Sequence, residues 1–168
     1  MAGKPHKEGP SMTKRLVCAS VLVLMMLLPI SAASFERSSW SAGINLGTGA
    51  QSAAQYRIND DMDIVVGVGL DFYYGAIYGD AVANFRVGGF SIDQAAFDVT
   101  VGGGVLVGLY DRLVELSVVV PVGITYSFPD DLIPLDLYVR VGPAIRILKG
   151  YRTDLLGIYS YVGAMYRF

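Results

Sequence analysis

Histidine and cysteine are almost missing from this chain: His6 and Cys18 are its only examples, and both precede residue 34. From Ser34 onward, a Ser-His-acid or Cys-His nucleophilic arrangement is excluded, as is any imidazole or thiolate metal site. No disulfide can form there, so stability must come from burial and backbone pairing. Charge is scarce, at 17% of residues. Residues 34–168 hold nine basic against fourteen acidic side chains, a net charge of −5. That balance gives no footing for nucleic-acid binding. No cofactor is expected. A run long enough for a membrane-spanning helix is missing too, since the apolar block Leu16–Leu28 falls short of the ~20 residues required.

That block has another reading. Lys14-Arg15 precede it, and Pro29-Ile-Ser-Ala-Ala33 follows it. A positive start, a short apolar stretch, and Ser31 and Ala33 at the cleavage position match a removable secretory signal ending before Ser34. An uncleaved anchor is the alternative. Cys18 sits inside the apolar stretch rather than just after it, which argues against lipoprotein-type processing. The first eleven residues are polar and carry Pro5 and Pro10, whereas Met12 heads an ordinary signal. Translation is expected to begin at Met12. The expected organisation is residues 1–33 as extension plus signal, then residues 34–168 as one exported domain.

What the exported part does have is apolar residues, 20 Gly and 11 Tyr in the whole chain, with a mean hydropathy of +0.47. No sustained 3.6-residue stripe organises them. Period-two alternation recurs instead. In Val114–Phe128 the even positions are Val114, Leu116, Val118, Val120, Val122, Ile124, Tyr126 and Phe128. The odd positions are Glu115, Ser117, Val119, Pro121, Gly123, Thr125 and Ser127. Met62–Phe72, Phe97–Tyr110, Leu135–Leu148 and Leu156–Phe168 repeat that split, and Trp40–Gly47, Ala53–Ile58 and Ile77–Val87 carry weaker copies. Turn residues fall between them at Asn59–Asp61, Tyr110–Arg112, Phe128–Asp131 and Lys149–Arg152. This predicts eight strands. The roughly 135 residues available leave about 17 per strand and turn, enough for the ~9–11 tilted residues of a bilayer crossing.

Alternation alone also suits a soluble sandwich with its apolar face inward. Two features favour the reverse. The polar faces carry Arg57, Asp63, Asp71, Asp80, Arg86, Asp98, Glu115, Asp136, Arg140, Arg146 and Arg167, spaced by glycines that weaken a water-facing strand. Inside a narrow closed ring those glycines make room for long charged side chains from the opposite wall. The apolar faces, in turn, are nearly free of charge, as lipid demands: an Arg at mid-membrane costs about 2–4 kcal/mol. The expected fold is therefore all-β, an eight-stranded antiparallel up-and-down transmembrane β-barrel. Closure also removes the exposed edges of so apolar a sheet. Pro121 and Pro143 fall at similar heights on neighbouring strands, where no free edge accommodates them, and predict a shared β-bulge.

The chain ends Tyr161-Val-Gly163-Ala-Met-Tyr166-Arg-Phe168. Gly163, Tyr166 and Phe168 resemble the C-terminal signal of outer-membrane proteins, which implies the barrel-assembly machinery as a partner. Together with Pro121-Val-Gly123, Ile133-Pro-Leu-Asp-Leu-Tyr138 and Gly142-Pro143-Ala144, this ending resembles a family of small uncharacterised outer-membrane β-barrel proteins known best from spirochaetes. More broadly the chain is similar to OmpA/OmpX-type eight-stranded barrels. The resemblance implies fold and cell outer-membrane location, with lipid as the surrounding partner, and transfers no catalytic residue.

Other chemistry finds little support. Gly102-Gly-Gly104 lacks the Lys-Ser/Thr and following helix of a phosphate loop, and Asp130-Asp131 reads as a solvated turn rather than a Ca²⁺ site. No enzyme is expected. The inward charges should pair into a ladder, because an unpaired buried charge is costly. That points to a filled, charged interior with a structural or surface role. The alternatives are a narrow gated channel, or a surface protein binding a host ligand through aromatics such as Phe72-Tyr-Tyr74 and Tyr151.

Overall fold

The computed structural model describes residues 39–72, 75–93, 95–110, 113–129, 132–148 and 154–168. The signal-type segment with Met12, Ser31 and Ala33, the pair Tyr73-Tyr74, and the turn residues Asp111-Arg112, Asp130-Asp131 and Lys149–Arg152 lie outside them.

The protein is all-β, with nine antiparallel strands in one sheet and no helix among the described residues. In chain order these are β1 (Trp40–Gly47), β2 (Gly49–Asn59), β3 (Met62–Asp71), β4 (Ile77–Ile92), β5 (Ala95–Leu109), β6 (Val114–Val119), β7 (Val122–Ser127), β8 (Leu135–Leu148) and β9 (Leu156–Arg167). From β1 to β5 each strand pairs with its sequence neighbour. β6 and β7 lie end to end, both between β5 and β8. β8 pairs with β9, and β9 with β1, so the row of pairings closes into a ring.

Nine strands replace the expected eight because Val114–Phe128 is divided at Val120-Pro121. The bulge expected at Pro121 and Pro143 is absent. Val119 faces Gly104 and Ala144, while Val122 faces Val101 and Val141, so the register runs on unshifted on both sides. A proline removes one donor but keeps its acceptor. Pro121 O still accepts from Gly102 N at 2.7 Å, and Pro143 O from Val120 N at 3.1 Å. Gly142 eases the approach, since a Cβ there would lie 2.6 Å from Pro121 Cα. The register shifts occur elsewhere, between Arg57 and Asn59, Arg86 and Gly88, and Leu116 and Ser117.

Three strands outrun their expected limits. β2 begins at Gly49, so Thr48 alone separates it from β1. β4 and β5 extend to Ile92 and back to Ala95, with Asp93 at φ 54° in the turn, a conformation Asp tolerates better than most residues. Phe85 is the last β4 residue in register with β3, and Arg86 N still donates to Asp61 O at 2.8 Å; from Gly88 to Ile92 the strand pairs with β5 alone among the described residues. Asn59 closes the β2–β3 turn by accepting from Asp61 N at 2.9 Å.

Burial follows the alternation in an inverted sense. Along β8, Val139 is 51% exposed, Arg140 2% and Val141 52%. The outward face carries Ile44, Leu46, Val66, Val68, Val105, Ile124 and Val162, all exposed. The inward face joins buried polar groups to a small apolar cluster of Ala53, Val65, Val82, Val119, Ala144, Met165 and three tyrosines. Outward aromatics gather at the end where β1 begins and β9 stops: Trp40 faces Tyr56 with rings 4.8 Å apart, Phe97 faces Tyr126, and Tyr166 contacts Phe168. We term this the terminal end, and the other the distal end.

Candidate functional site

Alternating strands aim one side chain in two at the interior, and closure makes those side chains converge. At the terminal end Asp136 on β8 takes Arg167 from β9 and Arg57 from β2, the latter at 3.6 Å. Arg167 also donates to Phe128 O. Arg86 on β4 meets Asp98 on β5 at 2.8 Å. Asp63 on β3 accepts from Asn84 at 2.7 Å and lies 3.9 Å from Arg140 on β8. Toward the distal end Arg146 donates to Glu115 at 3.0 Å.

All five predicted arginines thus meet a predicted acid. Asp80 does not take one: its carboxylate accepts from Tyr159 Oη and from Gln51 Nε2 at 3.4 Å. Asp71 is buried near the distal rim. Arg57, Arg86 and Asp98 are partly exposed, so the ladder is buried in its middle and wetted at the terminal end.

Neutral polar residues, which a search for ionisable groups passes over, hold the centre. Tyr138 Oη donates to Asn45 Oδ1, and the Arg140 guanidinium lies 4.4 Å from the Tyr138 ring centroid. Arg140 Nη1 donates to Tyr161 Oη at 3.4 Å, and the Tyr161 and Tyr159 hydroxyls are 2.9 Å apart. Each hydroxyl has one hydrogen to give. With Tyr159 donating to Asp80, Tyr161 donates to Tyr159, and a chain runs Arg140–Tyr161–Tyr159–Asp80. Asn45, Gln51, Asn84, Tyr138, Tyr159 and Tyr161 all occupy inward positions; the alternation that located the charges contained all but Gln51, which lies before the expected start of its strand at Ala53.

The glycines make room, although for neighbours rather than for the opposite wall. A Cβ on Gly123 would lie 2.8 Å from Thr100 Oγ1 and 2.9 Å from Arg140 Cγ, both on adjoining strands. Gly163 is overlain by Asn45 and Tyr138 from its two neighbours. Long side chains lean sideways across the small residue in register with them.

Two cavities flank this centre. One of about 340 Å³ lies toward the terminal end, with Arg140 and Tyr138 at its inner limit and Asp60 and Asp61 at its rim. The other, about 50 Å³, lies toward the distal end among Asp71, Asp80, Glu115, Tyr78, Tyr110 and Tyr159. No described residue lines both. The tyrosine–arginine chain is therefore a septum between two chambers. Among the described residues no three His, Cys, Asp or Glu side chains are placed to hold a metal ion. Gly102-Gly-Gly104 lies inside β5. No family model, curated protein or solved structure matches the chain.

Proposed function

We propose that this chain is an integral outer-membrane β-barrel of eight staves, with β6 and β7 forming one stave broken at Pro121. Its interior is filled by charged and tyrosine side chains across the centre, and its role is structural or at the cell surface rather than enzymatic. The observation that carries this reading is the inverted burial: Arg140 is enclosed while Val139 and Val141 beside it stand exposed. In water such an apolar exterior is unfavourable at about 25 cal/mol per Å², and soluble monomers rarely expose continuous apolar patches of this kind. Against lipid it is the favourable arrangement.

Three further features support it. The ring leaves no unpaired edge at its closure, which a bilayer requires. Outward aromatics at the terminal end suit a membrane–water interface. The Gly163, Tyr166 and Phe168 ending resembles the signal read by barrel-assembly machinery. Removal of residues 1–33 on export belongs to the same reading.

The experiment is expression with an epitope at the C-terminus, followed by membrane fractionation and a gel comparing boiled and unboiled samples. Outer-membrane recovery with a heat-shifted band is the expected result, and a soluble periplasmic pool overturns the reading. The two facing chambers favour a gated channel as the second reading. Steady conductance of the purified protein in planar bilayers would favour it over a filled barrel.

A further inference from the structure

We propose that the terminal chamber is a binding site for a small organic carboxylate, held by the guanidinium of Arg140. The thin pairing of that cation is the first reason. Arg140 is 2% exposed, yet among the described residues its one hydrogen bond runs from Nη1 to Tyr161 Oη at 3.4 Å. Its Nε has no hydrogen-bond partner, and Nη2 lies 3.9 Å from Asp63 Oδ1, beyond hydrogen-bonding range. The Tyr138 ring 4.4 Å away attracts the charge but supplies no acceptor oxygen. Nε and Nη2 share one edge of the planar guanidinium, the edge that takes both oxygens of a carboxylate. Buried donors left in that condition are costly, and a ligand carboxylate satisfies them.

The neighbours of Arg140 are the second reason. Asn84 Nδ2 donates to Asp63 Oδ1 at 2.7 Å and holds that carboxylate short of the guanidinium. The other arginines lining the chamber lie closer to acids: Arg86 is 2.8 Å from Asp98, and Arg57 and Arg167 share Asp136. Thr100 adds a hydroxyl beside Arg140. The two stand on either side of Gly123, where a Cβ would lie 2.8 Å from Thr100 Oγ1 and 2.9 Å from Arg140 Cγ.

Room is the third. Arg140 and Thr100 both line the chamber of about 340 Å³, against the ~10–15 Å³ needed for one water, so an acid of several carbons fits. Arg57, Arg86 and Asp98 are partly exposed, and the chamber is reached from that end. Selection rests on open donors rather than on net charge. Phosphate is the poorer occupant, because its second charge would stand beside Asp63. The site follows from the interior alone, so its failure leaves the membrane reading untouched.

The test titrates sodium propionate into the detergent-folded full-length protein at constant ionic strength, read by ligand-observed NMR. Saturable binding is expected, with none of propionamide, which has the shape without the charge, and weaker binding of inorganic phosphate. Arg140→Lys keeps the charge but loses the two-donor edge, and is expected to weaken binding about tenfold. Thr100→Val is expected to weaken it as well. Tyr78→Phe, in the distal chamber, is the control and should bind as the native protein does. Each variant is checked for folding by circular dichroism, and Thr100→Val carries the test should Arg140→Lys not fold. Absence of saturation up to about 50 mM, equal binding of propionamide or phosphate, or affinity unchanged in the folded Arg140 and Thr100 variants would overturn the proposal.

Discussion

Neighbouring residues in this wall face opposite environments, and substitutions separate them. Val139→Arg places a charge on the outward face. In a bilayer it is expected to destabilise the protein by about 2–4 kcal/mol, whereas at a water-exposed site the change would stay near ~0.5 kcal/mol. Urea unfolding in lipid vesicles distinguishes the two. Inside, Arg146→Met leaves the Glu115 carboxylate buried without its cation. A loss of about 3–5 kcal/mol is expected, and adding Glu115→Gln should restore part of it. A double-mutant cycle in micelles reads that coupling. Gly123→Val forces a side chain against Thr100 and Arg140, for which about 1–3 kcal/mol of overpacking is expected in the same assay.

Among the strands, β8 shows how far periodicity reaches: its limits and its inward set of Asp136, Tyr138, Arg140 and Arg146 follow from alternation alone. The β4–β5 hairpin shows where it stops. Gly88-Gly89 reads as a break, because glycine weakens a strand and carries no apolar signal. The partner strand supplies the missing order, since Gly88 faces Val99 and Gly89 faces Asp98. This projecting part of β4 has a partner on one side only, and its backbone hydrogen bonds are correspondingly easy to open. Hydrogen exchange by NMR is expected to show faster exchange at Gly89–Ile92 than at Ile64–Val68, which β2 and β4 both flank. Pro121 teaches the complementary lesson. A lost donor was legible, whereas the unshifted register depended on Gly142 across the pair.

At the scale of the whole molecule, closure converts eight stretches of alternation into an enclosed polar interior. The ion pairs join distant parts of the chain: Arg167 from the last strand and Arg57 from the second meet on Asp136. The Tyr138, Arg140, Tyr159 and Tyr161 septum keeps the two chambers apart. The intact protein is therefore expected to hold no steady current in planar bilayers. Replacing Tyr138, Tyr159 and Tyr161 together by serine is expected to produce measurable conductance, provided the heat-shifted band persists. A conducting native protein would show that the septum opens.

The sequence by itself determined the all-β class, the two faces of nearly every strand and the list of inward charges. Those properties repeat every two residues and are written locally, in side-chain polarity. It also excluded histidine and cysteine chemistry after residue 33. The tertiary structure decided which charges meet, that Asp80 rests on Tyr159 and Gln51 instead of an arginine, and that the prolines pass without a bulge. It alone divided the interior into two chambers. Each of these depends on register and closure, which bring together residues far apart in the chain, such as Tyr138 and Asn45, 93 positions apart. No local pattern encodes such a pairing, because it is set by the sum of backbone ladders around the whole ring.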